Sequence, residues 1–273
     1  WIGDPAEGVN NVRSDVNREI WRRPGDPELL TLKAVRAIAQ ADVLLVDDLV
    51  NPLVLEHARR DARIVQVGKR GGCQSTPQQF IERLMVSESL AGNVVVRLKG
   101  GDPFMFGRGG EEIAALEAAG IEYEVLNGIT AGLAGPTSVG VEGPRSVGLP
   151  RGHRDFCHGV AFITGHTKSE KMMRLQPLLE AGLTLVIYMG ISNLSEIVNE
   201  LNAHGTRPSM PIAVIQDATL PSQRVLICTL ESVVAGVITE GIASPSVIVI
   251  GEVVSLNRVS DFINQEQNDR TPV

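Results

Sequence analysis

Arg97-Leu98-Lys99-Gly100-Gly101-Asp102-Pro103-Phe104-Met105-Phe106-Gly107-Arg108-Gly109-Gly110-Glu111-Glu112 is the stretch on which the fold class turns. It follows an apolar β-branched run, Val94-Val95-Val96, and leads into an amphipathic segment from about Glu111. A strand that opens through glycines into a helix is a βα junction. Open α/β sheets bind their ligands at such junctions. Glycine lets main chain approach a ligand closely, while Lys99, Arg108 and Asp102 supply fixed charge. The stretch reads as half of a binding site.

Outward from it, helices and strands alternate. Helical segments are expected at 29–41, 52–58, 78–90 and 111–119, and strands at 42–46, 63–67, 94–98 and 123–126. Ser75-Thr76-Pro77 is a cap-like start for the helix at 78. Residues 128–141 form a small-residue helix or loop. A second unit gives strands at 160–164, 183–189, 212–215, 224–229 and 247–253, with helices at 194–203 and 230–239. The expected organisation is a loose N-terminus (1–19), an N-terminal α/β domain (20–152), a C-terminal α/β domain (153–260) and a polar tail (261–273). The fold class is α/β, with a ligand cleft between the two domains. Residues 134–141 (AGPTSVGV) and 142–149 (EGPRSVGL) are a back-to-back repeat, too short for a solenoid unit, that lengthens one loop.

Composition excludes several classes. The 273 residues are 43% hydrophobic but only 4% aromatic, which favours parallel strands and packed helices. A net charge of −7 with no long basic stripe makes nucleic acid a poor partner. No apolar run reaches the roughly 18 residues of a membrane span. The cysteines, Cys73, Cys157 and Cys228, form no CxxC pair and suit a reducing cytoplasm. His153 and His158 flank Cys157, but no second cluster completes a ligand set, so no metal is expected. There is no GxGxxG at a first strand turn, no P-loop around Lys69, no GxSxG and no HExxH.

Other positions carry chemistry beside a plainer reading. Pro24-Gly25-Asp26-Pro27 is a ligand loop or an ordinary helix start. Gly100-Gly101-Asp102 gives backbone contact plus a carboxylate, or a turn capped by aspartate. Gly128-Ile129-Thr130-Ala131 is a third small-residue junction. Asp47-Asp48 ends a buried strand, as substrate-orienting acids or as a cap. Lys99, Arg108 and Arg154 suit carboxylates or phosphates, or simply solvated surface. Met189 fills core or ends a strand of the second unit.

Taken together, these residues resemble the tetrapyrrole methylase family. The matching stretches are PGDPELLT (24–31), 47–50, VGKR (67–70), RLKGGDPFMFGRGGEE (97–112), GITA (128–131), HRD (153–155), TGH (164–166), YMG (188–190) and GEVV (251–254). The resemblance covers about 24 to 254. It implies two α/β domains with S-adenosyl-L-methionine between them and a homodimer without metal. The implied reaction places two methyl groups on rings A and B of uroporphyrinogen III, giving precorrin-2 for sirohaem and cobalamin synthesis, and leaves S-adenosyl-L-homocysteine. By resemblance, Pro24, Gly100, Gly101, Asp102, Met105, Thr130, Ala131, Met189 and Ala218 line the cofactor. Arg108, Glu111, Arg154 and Met189 contact substrate. Arg108 is the family's proposed proton acceptor, although an arginine is an odd base; orienting carboxylates suits it better, and Asp47 is a second candidate for assisting proton loss.

This chain departs from the family in two places. Ile20-Trp21-Arg22-Arg23 stands where the family has a hydrophobic strand ending Val-Gly-Ala-Gly. The repeat precedes Pro150-Arg151-Gly152-His153-Arg154, where the family has Pro-Leu-Thr-His-Arg. A methylase of a later corrin intermediate and a non-catalytic cofactor-binding relative are the alternatives. No dehydrogenase–chelatase module is read before Pro24, so a single activity is expected.

Overall fold

Parallel pairing dominates the first of two five-stranded sheets, and antiparallel pairing the second. The computed structural model describes residues 25–68, 76–139, 157–166 and 173–256, with the backbone of 17–21. In the first sheet the strands are β1 (Asn17–Trp21), β2 (Val43–Val46), β3 (Arg63–Gln66), β4 (Val95–Lys99) and β5 (Tyr123–Leu126), in the order β3-β2-β4-β1-β5. Every pair in it is parallel. Helices α1 (Leu32–Gln40), α2 (Gln78–Leu90), α3 (Gly109–Ala118) and α4 (Ala131–Ser138) punctuate these strands. The second sheet holds β6 (Gly159–Thr164), β7 (Leu183–Tyr188), β8 (Pro211–Gln216), β9 (Arg224–Thr229) and β10 (Ser246–Ile250), in the order β6-β7-β10-β8-β9. Helices α5 (Gln176–Glu180), α6 (Leu194–Ala203) and α7 (Val233–Glu240) accompany it. No helix among the described residues is long and apolar enough to cross a membrane.

Local chemistry explains the elements. Val43–Val46 is buried throughout, the mark of a strand covered on both faces. The α1 helix starts at Thr31, whose side chain accepts from the Ala34 N–H at 3.2 Å, and buries Ala34, Ala37 and Ile38. The α2 helix occupies 78–90 as expected, but Pro77 is its cap and no side chain supplies the cap bond. The turn after β2 is capped by Asn51, which accepts from Leu53 N–H at 3.0 Å, rather than by Asp47 or Asp48.

Position β1 corrects one expectation. Residues 17–19 were expected in a loose N-terminus, yet Asn17–Trp21 pairs with β4 on one side and β5 on the other. Its polar sequence gave no strand signal, because two parallel ladders of backbone hydrogen bonds recruit it into the sheet.

Direction then sets where ligands can bind. All strands of the first sheet end on one edge. In the second sheet β7 and β8 are both antiparallel to β10, and β6 is parallel to β7, so β6, β7 and β8 also end together. These two edges touch. Asp26 N–H donates to Thr219 Oγ1 at 3.2 Å, and Gly132 N–H donates to the Tyr188 hydroxyl at 2.9 Å. Gln223 reaches across as well: its Oε1 accepts from Ser138 Oγ at 2.7 Å and from Thr219 N–H at 2.6 Å.

Close approach at Gly132 leaves no room for a methyl. A Cβ there would lie 2.2 Å from the Tyr188 hydroxyl and 2.8 Å from Val186 Cγ1. Overpacking of this kind costs about 1–3 kcal/mol, so Gly132→Ala is expected to lower the thermal midpoint by several degrees in a calorimetric scan. An unchanged midpoint would show that the two edges are not in close contact.

Candidate functional site

Cations in the middle of a sheet need partners. Arg97 and Lys99 lie two residues apart on β4 and therefore share a face. Both are buried, and both reach Glu112 of α3, which is 0% exposed. Arg97 Nε donates to Glu112 Oε1 at 3.2 Å, Lys99 Nζ to Oε2 at 2.9 Å, and Gln78 Nε2 to Oε1 at 3.1 Å. The Arg97 guanidinium also donates to the carbonyls of Leu45 (3.3 Å) and Leu98 (2.9 Å) and lies 3.9 Å from Asp47. Lys99 also bonds the Gly107 carbonyl. The strand end, the far side of the glycine loop and the following helix are thus tied to one carboxylate.

That tie overturns one reading of the sequence. Lys99 was a candidate for gripping substrate carboxylates or phosphates. It is 5% exposed and engaged with Glu112 and Gly107, so it shapes the loop instead.

Within the loop, Gly101 has φ +97, a conformation that favours glycine. Asp102 does what its plainer reading implied and more. Its Oδ1 accepts from Phe104 N–H at 3.1 Å, and its Oδ2 from Asn127 Nδ2 and Gly128 N–H, each at 3.4 Å. It therefore joins the loop after β4 to the loop after β5. Thr130, buried, caps α4 and shares a 2.7 Å hydrogen bond with the Tyr188 hydroxyl. Ala131 begins α4 beside it. Gly100 and Met105 complete this rim, half-buried.

Across from it stand Met189, 46% exposed at the end of β7, and Ala218, buried after β8. The Gly25 loop packs tightly on the same segment: a Cβ on Gly25 would lie 2.8 Å from the Ala218 carbonyl oxygen. Phe106, Arg108, Met189, Asp217 and Thr219 are non-glycine residues with φ between +49 and +65. All five lie in the loops after β4, β7 and β8, at the facing edges. Such backbone costs about 1–3 kcal/mol per residue and clusters at functional sites.

Arg108 is exposed and held by Glu111, with Nε to Oε1 at 3.0 Å. Hydrogen bonding to Glu111 pushes its pKa above the ordinary arginine value. That bond holds the guanidinium as an oriented cation in the resting pair. Asp47, about one-third exposed, ends β2 beside Arg97. Burial pushes the Cys228 thiol up. Among the described residues no group of three or more His, Cys, Asp or Glu could hold a metal ion.

The structure thus brings together Gly100, Gly101, Asp102, Met105, Arg108, Glu111, Thr130, Ala131, Met189 and Ala218 on the two facing edges, with Asp47 at the end of β2. Pro24 and Arg154, with His153 and the repeat at 142–149, lie outside the described residues. Glu112, Phe106, Tyr188 and Thr219 were not singled out from sequence. For Glu112 a signal existed: two cations at alternate positions of an apolar strand demand a buried acid.

Removing that acid would leave two buried cations short of a counter-charge, which costs about 3–5 kcal/mol. Glu112→Ala is therefore expected to lower the unfolding free energy by that much in urea titrations. A loss below about 1 kcal/mol, the scale of surface pairs, would show that the triad is not a buried ionic tie.

A family model for "Tetrapyrrole (Corrin/Porphyrin) Methylases" matches residues 24–234. The chain is 50% identical over 230 residues to the uroporphyrinogen-III C-methyltransferase of Pseudomonas aeruginosa, covering 84% of this chain and 90% of that protein. It is 44% identical over 276 residues to siroheme synthase 2 of Aeromonas salmonicida, covering all of this chain but 55% of that longer protein. The crystal structure of uroporphyrin-III C-methyl transferase from Thermus thermophilus, complexed with S-adenyl homocysteine, superposes with a TM-score of 0.73. There the identity is 36%, with 88% of this chain and 99% of that one covered.

Proposed function

The chain belongs to the tetrapyrrole (corrin/porphyrin) methylase family, and from that premise we propose that it transfers methyl groups from S-adenosyl-L-methionine to carbons of uroporphyrinogen III. Similarity to a uroporphyrinogen-III C-methyltransferase over 84% of the chain carries this reading. The expected products are precorrin-2 and S-adenosyl-L-homocysteine.

The residues present fit such a donor. Gly100 and Gly101 offer bare main chain, and a Cβ at Gly101 would have nothing nearer than the Thr130 Cα at 3.8 Å. The small side chain of Ala131 lies on the same rim, and Ala218 and the exposed Met189 bound the opposite side. We assign Gly100, Gly101, Asp102, Met105, Thr130, Ala131, Met189 and Ala218 to the donor, with Pro24 added by resemblance. When bound, the donor supplies an electrophilic methyl on a sulfonium. The protein's part is to align an electron-rich pyrrole carbon with it and to keep both in place.

Substrate carboxylates call for guanidinium groups. Arg108, oriented by Glu111, is assigned to this task together with Arg154, and Met189 lies where both ligands would meet. Asp47 is assigned the proton that leaves the macrocycle, on the strength of its partly exposed carboxylate at the carboxyl edge of β2. A homodimer and a cytoplasmic setting belong to the same proposal, supported by the family resemblance and by the scattered cysteines.

Incubation with uroporphyrinogen III and methyl-labelled donor is expected to place two labels on each macrocycle. Absence of label would reject the proposal. Loss of a charged hydrogen bond is worth about 1.5–3 kcal/mol, so Arg108→Ala is expected to raise KM for the tetrapyrrole by about 10- to 100-fold. Asp47→Asn should instead lower kcat by about 10²-fold or more with KM retained. The Arg108 charge is present at every pH below its unfolded-state value and is lost only as pH rises through the still higher folded one. No Arg108-dependent change in kcat/KM is therefore expected from about pH 6 to pH 10. An alkaline limb in that window that vanishes in Arg108→Lys would contradict the assignment.

A further inference from the structure

Phe106 is held in an unusual conformation for its size. Its φ is +59, in the left-handed region where a bulky residue is an outlier. The loop enforces it: Phe106 N–H donates to the Phe104 carbonyl at 3.2 Å, and the neighbouring Gly107 carbonyl is bound by buried Lys99. The result is a ring set at the facing edges and 38% exposed.

Among the described residues the ring packs on one aromatic neighbour. Its centroid lies 5.3 Å from that of Tyr188, tilted by 57°, and Tyr188 rests on Phe162 at 6.2 Å. The Tyr188 hydroxyl is fixed by Thr130 and Gly132. A file of three aromatics thus runs from the second sheet to the loop and ends at the partly exposed Phe106. Two residues further along stands the exposed guanidinium of Arg108. A flat apolar surface beside an oriented cation matches a ligand that is both aromatic and polyanionic.

We propose that Phe106 is a specificity-determining contact, with one pyrrole ring of the tetrapyrrole packing on its exposed part while Arg108 takes an adjoining carboxylate. This rests on the function proposed above. Aromatic stacking of this kind adds to the gain from buried area.

Glycine suits a left-handed φ, so Phe106→Gly removes the ring without straining the turn. Uroporphyrin III binding, read by quenching of its fluorescence, is expected to weaken about tenfold in Phe106→Gly and to return in Phe106→Tyr. Calorimetric affinity for S-adenosyl-L-homocysteine should stay within about twofold of wild type in both, because the ring is assigned to one ligand only. Unchanged porphyrin affinity in Phe106→Gly overturns the inference, as does a parallel loss for both ligands, which would mark a structural role. A wild-type protein that binds S-adenosyl-L-homocysteine but no uroporphyrin III overturns the proposed function along with it.

Discussion

One buried carboxylate organises the binding edge. Glu112 accepts from Arg97, Lys99 and Gln78 with no exposed surface of its own. Four segments meet there: the end of β4, the start of α2, the start of α3 and, through Lys99 and Gly107, the far side of the glycine loop. A loop rich in glycine would otherwise be the least ordered part of the sheet edge. Ion pairs of this kind contribute little net stability against an apolar replacement, since desolvation opposes the attraction. Their value here is positional. The tie fixes where the strand stops and where the helix begins, and the residues between are bent accordingly.

Strained backbone lines both facing edges. Phe106 and Arg108 adopt left-handed conformations between Lys99 and Glu112, and Met189, Asp217 and Thr219 adopt them on the facing edge. The cost of each is met by the surrounding contacts, which include the Asp102 bridge to Gly128 and the Tyr188 bridge to Thr130 and Gly132. Main chain, small side chains and a thioether are thereby brought to one place, with a guanidinium beside them. That combination suits an adenosyl sulfonium next to a polyacid ring.

Much of the fold was legible in the sequence, and the reasons differ by element. The β5, α2, α6 and β9 segments begin and end where periodicity and flanking residues placed them. The β1 strand was missed because Asn17-Arg18-Glu19 has no strand pattern, and only its two neighbours recruit it. The five-residue α5 helix is too short to carry a period. In the site, glycine and small-residue junctions marked the first edge. The second edge was visible only through resemblance, because contacts such as Asp26 with Thr219 span 193 residues of sequence. Lys99 was misjudged for a related reason: proximity to glycine suggested a ligand, whereas alternation along β4 with Arg97 points inward to Glu112.

Hydrogen–deuterium exchange on Glu112→Gln compared with wild type tests the positional role of this carboxylate most directly, because amide protection reports local opening segment by segment. The expected result is fast exchange confined to residues 100–110, with the buried β7 and β10 strands of the second sheet still protected. A folded variant whose 100–110 segment exchanges as slowly as wild type would contradict the account, since the loop would then hold its shape without the buried acid.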